Sequence, residues 1–277
     1  MADSPIENTG QSLYLASKNS TILRGANSVS KTILLTGAAG ALGQVLVEAL
    51  ASQGHTVRAT DRARYPGALP KGVAFSHLDV ADYAGVMAAA KGVDAIVHFG
   101  AVPIELSFEE IAQAKLRGTN HIFEAALANR ARVIFASSNH TVGYNERAKT
   151  IDEDAPMRPD GYYGVSKCYG EILGRMMFDK HGIESAHLRI GSCIPAPNNK
   201  RSLSLWLSYP DLVRLVLACL ATPDLGCRAV WGISNNTRAF WRSKHWAAIG
   251  YKPQDDAENY AGKVDMSDTG PVAERFM

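Results

Sequence analysis

Thr32-Ile33-Leu34-Leu35-Thr36-Gly37-Ala38-Ala39-Gly40-Ala41-Leu42-Gly43 is the stretch on which the fold turns. Its first five residues form a short, β-rich apolar run, the pattern of a buried parallel strand. Gly37, Gly40 and Gly43 follow at spacings of three. From Ala41 to Gln53 the spacing becomes helical. Leu42, Val45, Leu46, Ala49 and Leu50 share one side, and Gly54 marks the stop. A glycine-rich turn between a strand and a helix lets backbone approach a pyrophosphate. The helix N-terminus adds unpaired N–H groups and positive potential. A lone glycine triplet is a weak sign, and its place between strand and helix strengthens it.

The same alternation extends outward. Residues 56–60, 73–78, 95–99, 132–137 and 185–190 read as further strands. Helices are expected over 82–91, 108–128 and 163–181. This order predicts an α/β fold: a Rossmann-type, doubly wound parallel sheet with helices on both faces. Residues 191–209 read as a Pro- and Asn-rich loop, followed by a helix over 210–220 and a strand near Val230. Residues 1–30 are polar, without a sustained period, and read as an arm. The expected organisation is that arm plus a single Rossmann-type domain over 31–277. Its small C-terminal region, 191–277, contributes most of the substrate-binding region.

Composition narrows the function classes. Of 277 residues, 46% are hydrophobic and 20% charged, as in soluble globular proteins. Lys plus Arg number 29 against 27 Asp plus Glu, a formal charge of +2. That balance argues against a nucleic-acid partner and a polybasic membrane anchor. No apolar run reaches the roughly 18 residues of a membrane helix. The first ten residues are acidic and lack an apolar core, so no secretory signal is expected. Cys168, Cys193, Cys219 and Cys227 make no C-x-x-C pair and read as reduced thiols of a cytoplasmic protein. The histidines include no H-x-x-x-H pair, so no metal is expected.

Asp61 ends the second strand, 24 residues after Gly37. An acid there can accept hydrogen bonds from both adenosine ribose hydroxyls and repels a 2′-phosphate, which favours NAD over NADP. Arg62 beside it partly offsets that repulsion. A solvated loop acid is the alternative for Asp61. Asp79, after the third strand, is placed to face adenine. Ala39, Ala41 and Leu42 in the turn, Val80, the strand-end residues Phe99, Gly100 and Ala101, and Ile190 complete the expected cofactor-binding set.

Tyr163-Gly164-Val165-Ser166-Lys167 opens a helix, and a spacing of four puts phenol and ammonium on one face. A phenol ionises near pH 10, too high for a base at neutral pH. A nearby Lys and a cationic nicotinamide both favour the phenolate. Tyr163 can then take a hydroxyl proton as hydride leaves the same carbon. A surface Tyr and Lys is the alternative. Ser137-Ser138-Asn139-His140 follows the fifth strand, at the end of the sheet where ligands bind. Ser137 reads as a loop hydroxyl capping backbone. His140 reads equally as a substrate contact or a structural histidine.

Together these residues resemble the short-chain dehydrogenase/reductase superfamily, in its extended or atypical branch, over residues 32–252. Longer stretches resemble one family, the uronate dehydrogenases. They are Phe135 to Tyr144, Arg158-Pro159-Asp160-Gly161, Gly164 to Cys168, Arg189 to Pro195, Pro197-Asn198-Asn199 and Arg201. The resemblance implies NAD-dependent oxidation of the anomeric carbon of a hexuronic acid, D-glucuronate or D-galacturonate, to an aldarolactone. It implies Tyr163 as base, Lys167 on the nicotinamide ribose and Ser138 on the reacting hydroxyl. It further implies Asn139, His140, Ser192 and Arg201 as substrate contacts, and a homo-oligomer. A guanidinium suits a carboxylate because it binds it bidentately; a solvated loop cation is the alternative for Arg201.

Two positions depart from the pattern. Pro103 stands where the family has a substrate-contacting serine. Lys115 stands where the superfamily often has Asn before a Gly-Thr pair, here Gly118-Thr119. The competing readings are a sugar-nucleotide epimerase or dehydratase on the same scaffold, and a non-catalytic NAD-sensing regulator. Only about 85 residues follow Arg189, which argues for a small, unattached sugar; the presence of both Tyr163 and Lys167 argues against the regulator.

Overall fold

Strand β1 (Thr32–Thr36) sends Ile33 and Leu35 into one apolar cluster and Leu34 into another. Side chains that alternate between two cores mark a strand covered on both faces. The structure, a computed structural model, describes residues 29–100, 104–146 and 150–267. Most of the expected arm, the expected cofactor contact at Ala101 and the departure at Pro103 lie outside the described residues.

After β1 come α1 (Ala41–Ser52), β2 (Thr56–Asp61), β3 (Val73–His77), α2 (Tyr83–Ala89) and β4 (Ala95–His98). Then follow α3 (Phe108–Ile111), a π-helical segment (Ala112–Arg117), α4 (Gly118–Asn129) and β5 (Arg132–Ser138). A 3-10 turn (Asn139–Val142) leads to α5 (Tyr162–His181), β6 (Ser185–Ile190), α6 (Ser202–Leu205), α7 (Tyr209–Ala221) and β7 (Cys227–Gly232).

The seven strands form one parallel sheet in the order β3-β2-β1-β4-β5-β6-β7. Val45, Leu46 and Leu50 of α1 pack on one face with Leu212, Leu215 and Val216 of α7. Val86 of α2, Ile122 and Phe123 of α4, and Leu173 and Met177 of α5 cover the other. The strand order reverses between β1 and β4. Connections leave in opposite directions there, and a crevice opens beyond the C-terminal strand ends.

Local signals explain the boundaries. Gly54 after α1 and Gly182 after α5 take positive φ values of 81° and 71°, the left-handed geometry that stops a helix. Before α7, Ser208 Oγ accepts from the Asp211 N–H, and Pro210 occupies the first turn.

Two expected elements come out differently. The helix expected over 108–128 is interrupted by six π-helical residues. Wider turns of this kind rotate the residues they contain relative to an α-helical frame, which regular apolar spacing does not reveal. The expected loop over 191–209 contains α6, and Ser202, Leu203, Ser204, Leu205 and Trp206 are all buried. Pro and Asn dominate the first half of that stretch, and behind them Leu203 and Trp206 build a small core with Ala257 and Val264.

Candidate active site

The glycine turn has almost no spare room. A Cβ on Gly37 would lie 2.5 Å from the Phe99 carbonyl carbon, and Gly37 has φ +76°. A Cβ on Gly43 would lie 2.0 Å from the Gly37 carbonyl oxygen. Beside Gly40 only that oxygen comes near, at 3.3 Å. Gly40 is the N-cap of α1 and supplies no side-chain acceptor, so the first amides of a twelve-residue helix are left for a ligand.

Two adjoining cavities follow the strand ends. The first, about 300 Å³, is lined by Gly37, Ala39, Gly40, Asp61, Asp79, Val80, Phe99 and Gly100. It also holds Thr36, Thr60, Arg62, Ala63 and Leu78. The second, about 390 Å³, is lined by Gly37, Gly40, Ala41, Leu42, Gly43, Ile190, Lys167 and Tyr163, and by Ser138, Asn139, His140, Ser192 and Arg201. Every described residue singled out from the sequence for cofactor or substrate therefore lines one cavity or the other.

Asp61 is tied to the turn. Its Oδ2 accepts from the Ala39 N–H at 2.9 Å and its Oδ1 from the Ala63 N–H at 2.9 Å. Each oxygen keeps acceptor capacity for a diol. Arg62 lies 3.7 Å from Asp79, both of them well exposed. A tight glycine turn, an open helix N-terminus and a strand-end carboxylate fit a dinucleotide with an unmodified ribose.

At the second cavity, α5 presents Tyr163 and Lys167 one turn apart. Glu105, which sequence reasoning missed, seats that helix end. Its carboxylate accepts from the Tyr162 N–H at 2.7 Å and the Tyr163 N–H at 3.0 Å. Lys167 Nζ donates to the Ala136 carbonyl at 2.7 Å. The Tyr163 phenol shares a hydrogen bond with Ser138. His140 stands edge-on to the Tyr163 ring at 5.6 Å, and its Nδ1 is 2.8 Å from Asp160.

Ser137 differs from expectation. It lies within β5, and its Oγ donates to Glu171 of α5 at 2.6 Å. Glu171 also receives Arg189 Nη2 at 2.8 Å, both side chains being buried. The strand end thus rests on a buried ion pair; the hydroxyl does not cap loop backbone. Ser137 and Glu171 are 34 residues apart, so no local spacing signals their contact.

Arg201 reaches the cavity through a short bridge. The Ser192 N–H donates to the Leu205 carbonyl and the Leu207 N–H to the Ser192 carbonyl, each at 2.9 Å. Those bonds draw α6 against the end of β6, and Arg201, just before α6, is only 9% exposed. The solvated-cation reading of Arg201 is thereby removed.

The electrostatics correct one expectation. Burial raises the Tyr163 phenol above its ordinary 10, opposed by the Ser138 hydrogen bond. Burial and then repulsion from Lys115 bring Lys167 down to about 7. The protein alone favours the protonated phenol, because the cost of removing charge from water outweighs the Ser138 hydrogen bond.

Fold and site together define a nicotinamide-dinucleotide-type scaffold with a tyrosine-centred site at its topological switch point. A model of the NAD dependent epimerase/dehydratase family matches residues 33–205. The uronate dehydrogenase of Pseudomonas syringae pv. tomato is 45% identical over 84% of this chain and 85% of its own length. That of Agrobacterium fabrum is 46% identical over 87% of this chain and 91% of its own length. A mutant uronate dehydrogenase from Agrobacterium tumefaciens, solved in complex with NAD, superposes with a TM-score of 0.83. It has 43% identity and covers 90% of this chain and 95% of that one. The chain belongs to the NAD dependent epimerase/dehydratase family, and within it to the uronate dehydrogenases.

Proposed function

We propose that this protein oxidises the anomeric carbon of a hexuronic acid, D-glucuronate or D-galacturonate, to an aldarolactone with NAD as acceptor. The observation that carries the reading is one cavity lined by Tyr163, Ser138, Lys167 and Arg201 together with the glycine turn. Bound NAD supplies the hydride acceptor and a cationic ring. Asp61 would hold its adenosine ribose, the Gly37–Gly43 turn its pyrophosphate and Lys167 its second ribose.

The chain's own groups then handle the sugar. Ser138 hydrogen-bonds the anomeric hydroxyl and aligns it on Tyr163. Tyr163 takes the hydroxyl proton at Oη. Arg201 receives the carboxylate, and its permanent charge makes the site select acids over neutral sugars. Asn139, His140 and Ser192 fix the ring hydroxyls, with Asp160 orienting the His140 imidazole.

Segments before residue 191 supply Tyr163, Ser138, Asn139 and His140; the C-terminal region supplies Ser192 and Arg201. We read the chain as one such unit working in the cytoplasm, a reading supported by four free cysteines. No helix among the described residues is long and apolar enough to cross a membrane. Exposed Val165, Ile172 and Met176 on α5 support a homo-oligomer.

The test mixes protein, NAD and each free uronate and follows NADH absorbance. Growth of that signal with the free acid is expected. Conversion of a nucleotide-linked sugar without net NADH would replace this reading by the epimerase.

A further inference from the structure

Lys115 is a buried cation that the reaction outlined above does not use. It is only 3% exposed. Lysine is almost never so buried unless its charge is answered. Its Nζ donates to the Ile104 carbonyl at 3.1 Å and stands 4.2 Å from the centre of the Tyr163 ring. The π-helical segment places it there: Lys115 is the fourth of its six residues. The ammonium of Lys167 is 5.4 Å from the same ring centre. The Tyr163 ring therefore has two lysine side chains beside it, one from its own helix and one from the π segment.

We propose that Lys115 is a positioning residue for proton transfer, a second positive charge that stabilises Tyr163 as the phenolate which accepts the sugar's hydroxyl proton. The inference rests on Tyr163 being the base. In the step, the sugar O–H bond breaks and a Tyr163 O–H bond forms, while hydride from the same carbon goes to NAD. Lys115 keeps its proton throughout and acts by charge.

The groups around the phenol set the direction of the effect. Lys167 and Lys115 favour the phenolate. Glu105, on the Tyr163 N–H, opposes it weakly and attracts Lys115. His140 packs edge-on with its Nδ1 on Asp160. Burial pulls Lys115 down to about 8 against the attraction of Glu105, so it carries its charge at neutral pH. An opposite charge within a few ångströms moves an ionisation by about 1–3 pH units. Lys167, relieved of repulsion from Lys115, would hold its proton more firmly and compensate in part. A displacement near the lower end, about one pH unit, is expected.

The test is the pH profile of kcat/KM, with saturating NAD, for wild type, Lys115→Gln, Lys115→Met, Lys115→Arg and Tyr163→Phe. The acid limb should move up by about one unit in the Gln and Met variants, about a tenfold loss below it. The curves should converge at high pH. The Arg variant, always charged, should keep the wild-type limb. Met fills the buried space without needing a partner, so it reads the limb if the Gln variant fails to fold. An unmoved limb in a neutral variant, or an equal loss at every pH, overturns the proposal. Tyr163→Phe separates the two readings: if it retains turnover and the acid limb, the base assignment itself is wrong, whatever the Lys115 variants do.

Discussion

Asp61→Ala should change cofactor choice more than it changes catalysis. In the structure its two carboxylate oxygens each hold one backbone amide, Ala39 N–H and Ala63 N–H, both at 2.9 Å. The remaining lone pairs face the first cavity, where a ribose diol would bind. A hydrogen bond to a charged group is worth about 1.5–3 kcal/mol. Losing one bond's worth should raise the NAD dissociation constant roughly ten- to 150-fold. NADP presents a phosphate at the same ribose and gains from the lost repulsion. Arg62 stands ready to receive it, since its exposed pairing with Asp79 at 3.7 Å is worth at most about 1 kcal/mol. NADP binding should therefore hold steady or improve. The NAD-to-NADP preference should fall by at least about tenfold. Asp61→Asn serves as control, because its single oxygen can keep one of the two amides while removing the charge. Calorimetric titration of both cofactors into each variant gives the four constants needed. Equal weakening of NAD and NADP would refute the reasoning. It would show that Asp61 acts only by shaping the turn through Ala39 and Ala63.

Tyr163→Phe should bind NAD normally and lose most turnover, measured by calorimetry and NADH formation; activity within about tenfold of wild type, about 1.4 kcal/mol of barrier, would point to another base. Arg201→Ala should cut efficiency on glucuronate by roughly ten- to a hundredfold or more, the worth of a charge-assisted pair of about 1.5–3 kcal/mol, and leave oxidation of glucose little changed. Lysine at 201 should rescue only partly, and equal losses on both sugars would assign Arg201 to holding the loop. Glu171→Ala strands the buried Arg189 guanidinium and should cost about 3–5 kcal/mol in urea unfolding; a loss below about 1 kcal/mol would contradict the buried pair. Stability should also fall as pH drops from 6.5 toward 5. Burial, then Lys167, pushes His98 down to about 3, and burial pushes His187 to about 4. The unfolded chain, with histidines near 6.5, binds more protons in that window and gains. A flat urea midpoint from pH 6.5 to 5 would oppose this.

Local chemistry carries far in this chain. The glycine turn, the strand and helix spacing, Asp61 and the Tyr163–Lys167 pair are each short-range patterns, and the physics that makes them legible acts over one strand or one helical turn. The order of the sheet is not among them: right-handed connections set the hand of each crossover and leave the place of the reversal, between β1 and β4, to the tertiary structure. Contacts across the fold are of another kind. Ser137 meets Glu171, Glu105 seats the Tyr163 helix from 58 positions away, and Arg201 reaches the cavity because Ser192 bonds α6 to the end of β6. Lys115 could be marked in sequence only as the wrong residue before Gly118-Thr119. Its place over the Tyr163 ring depends on a wider helical turn that apolar spacing does not encode. Sequence alone determined the scaffold and the chemical groups, because propensity and periodicity are local. Tertiary structure decided which charges share one dry site, because burial and long-range contact set ionisation, and neither exists until the chain has folded.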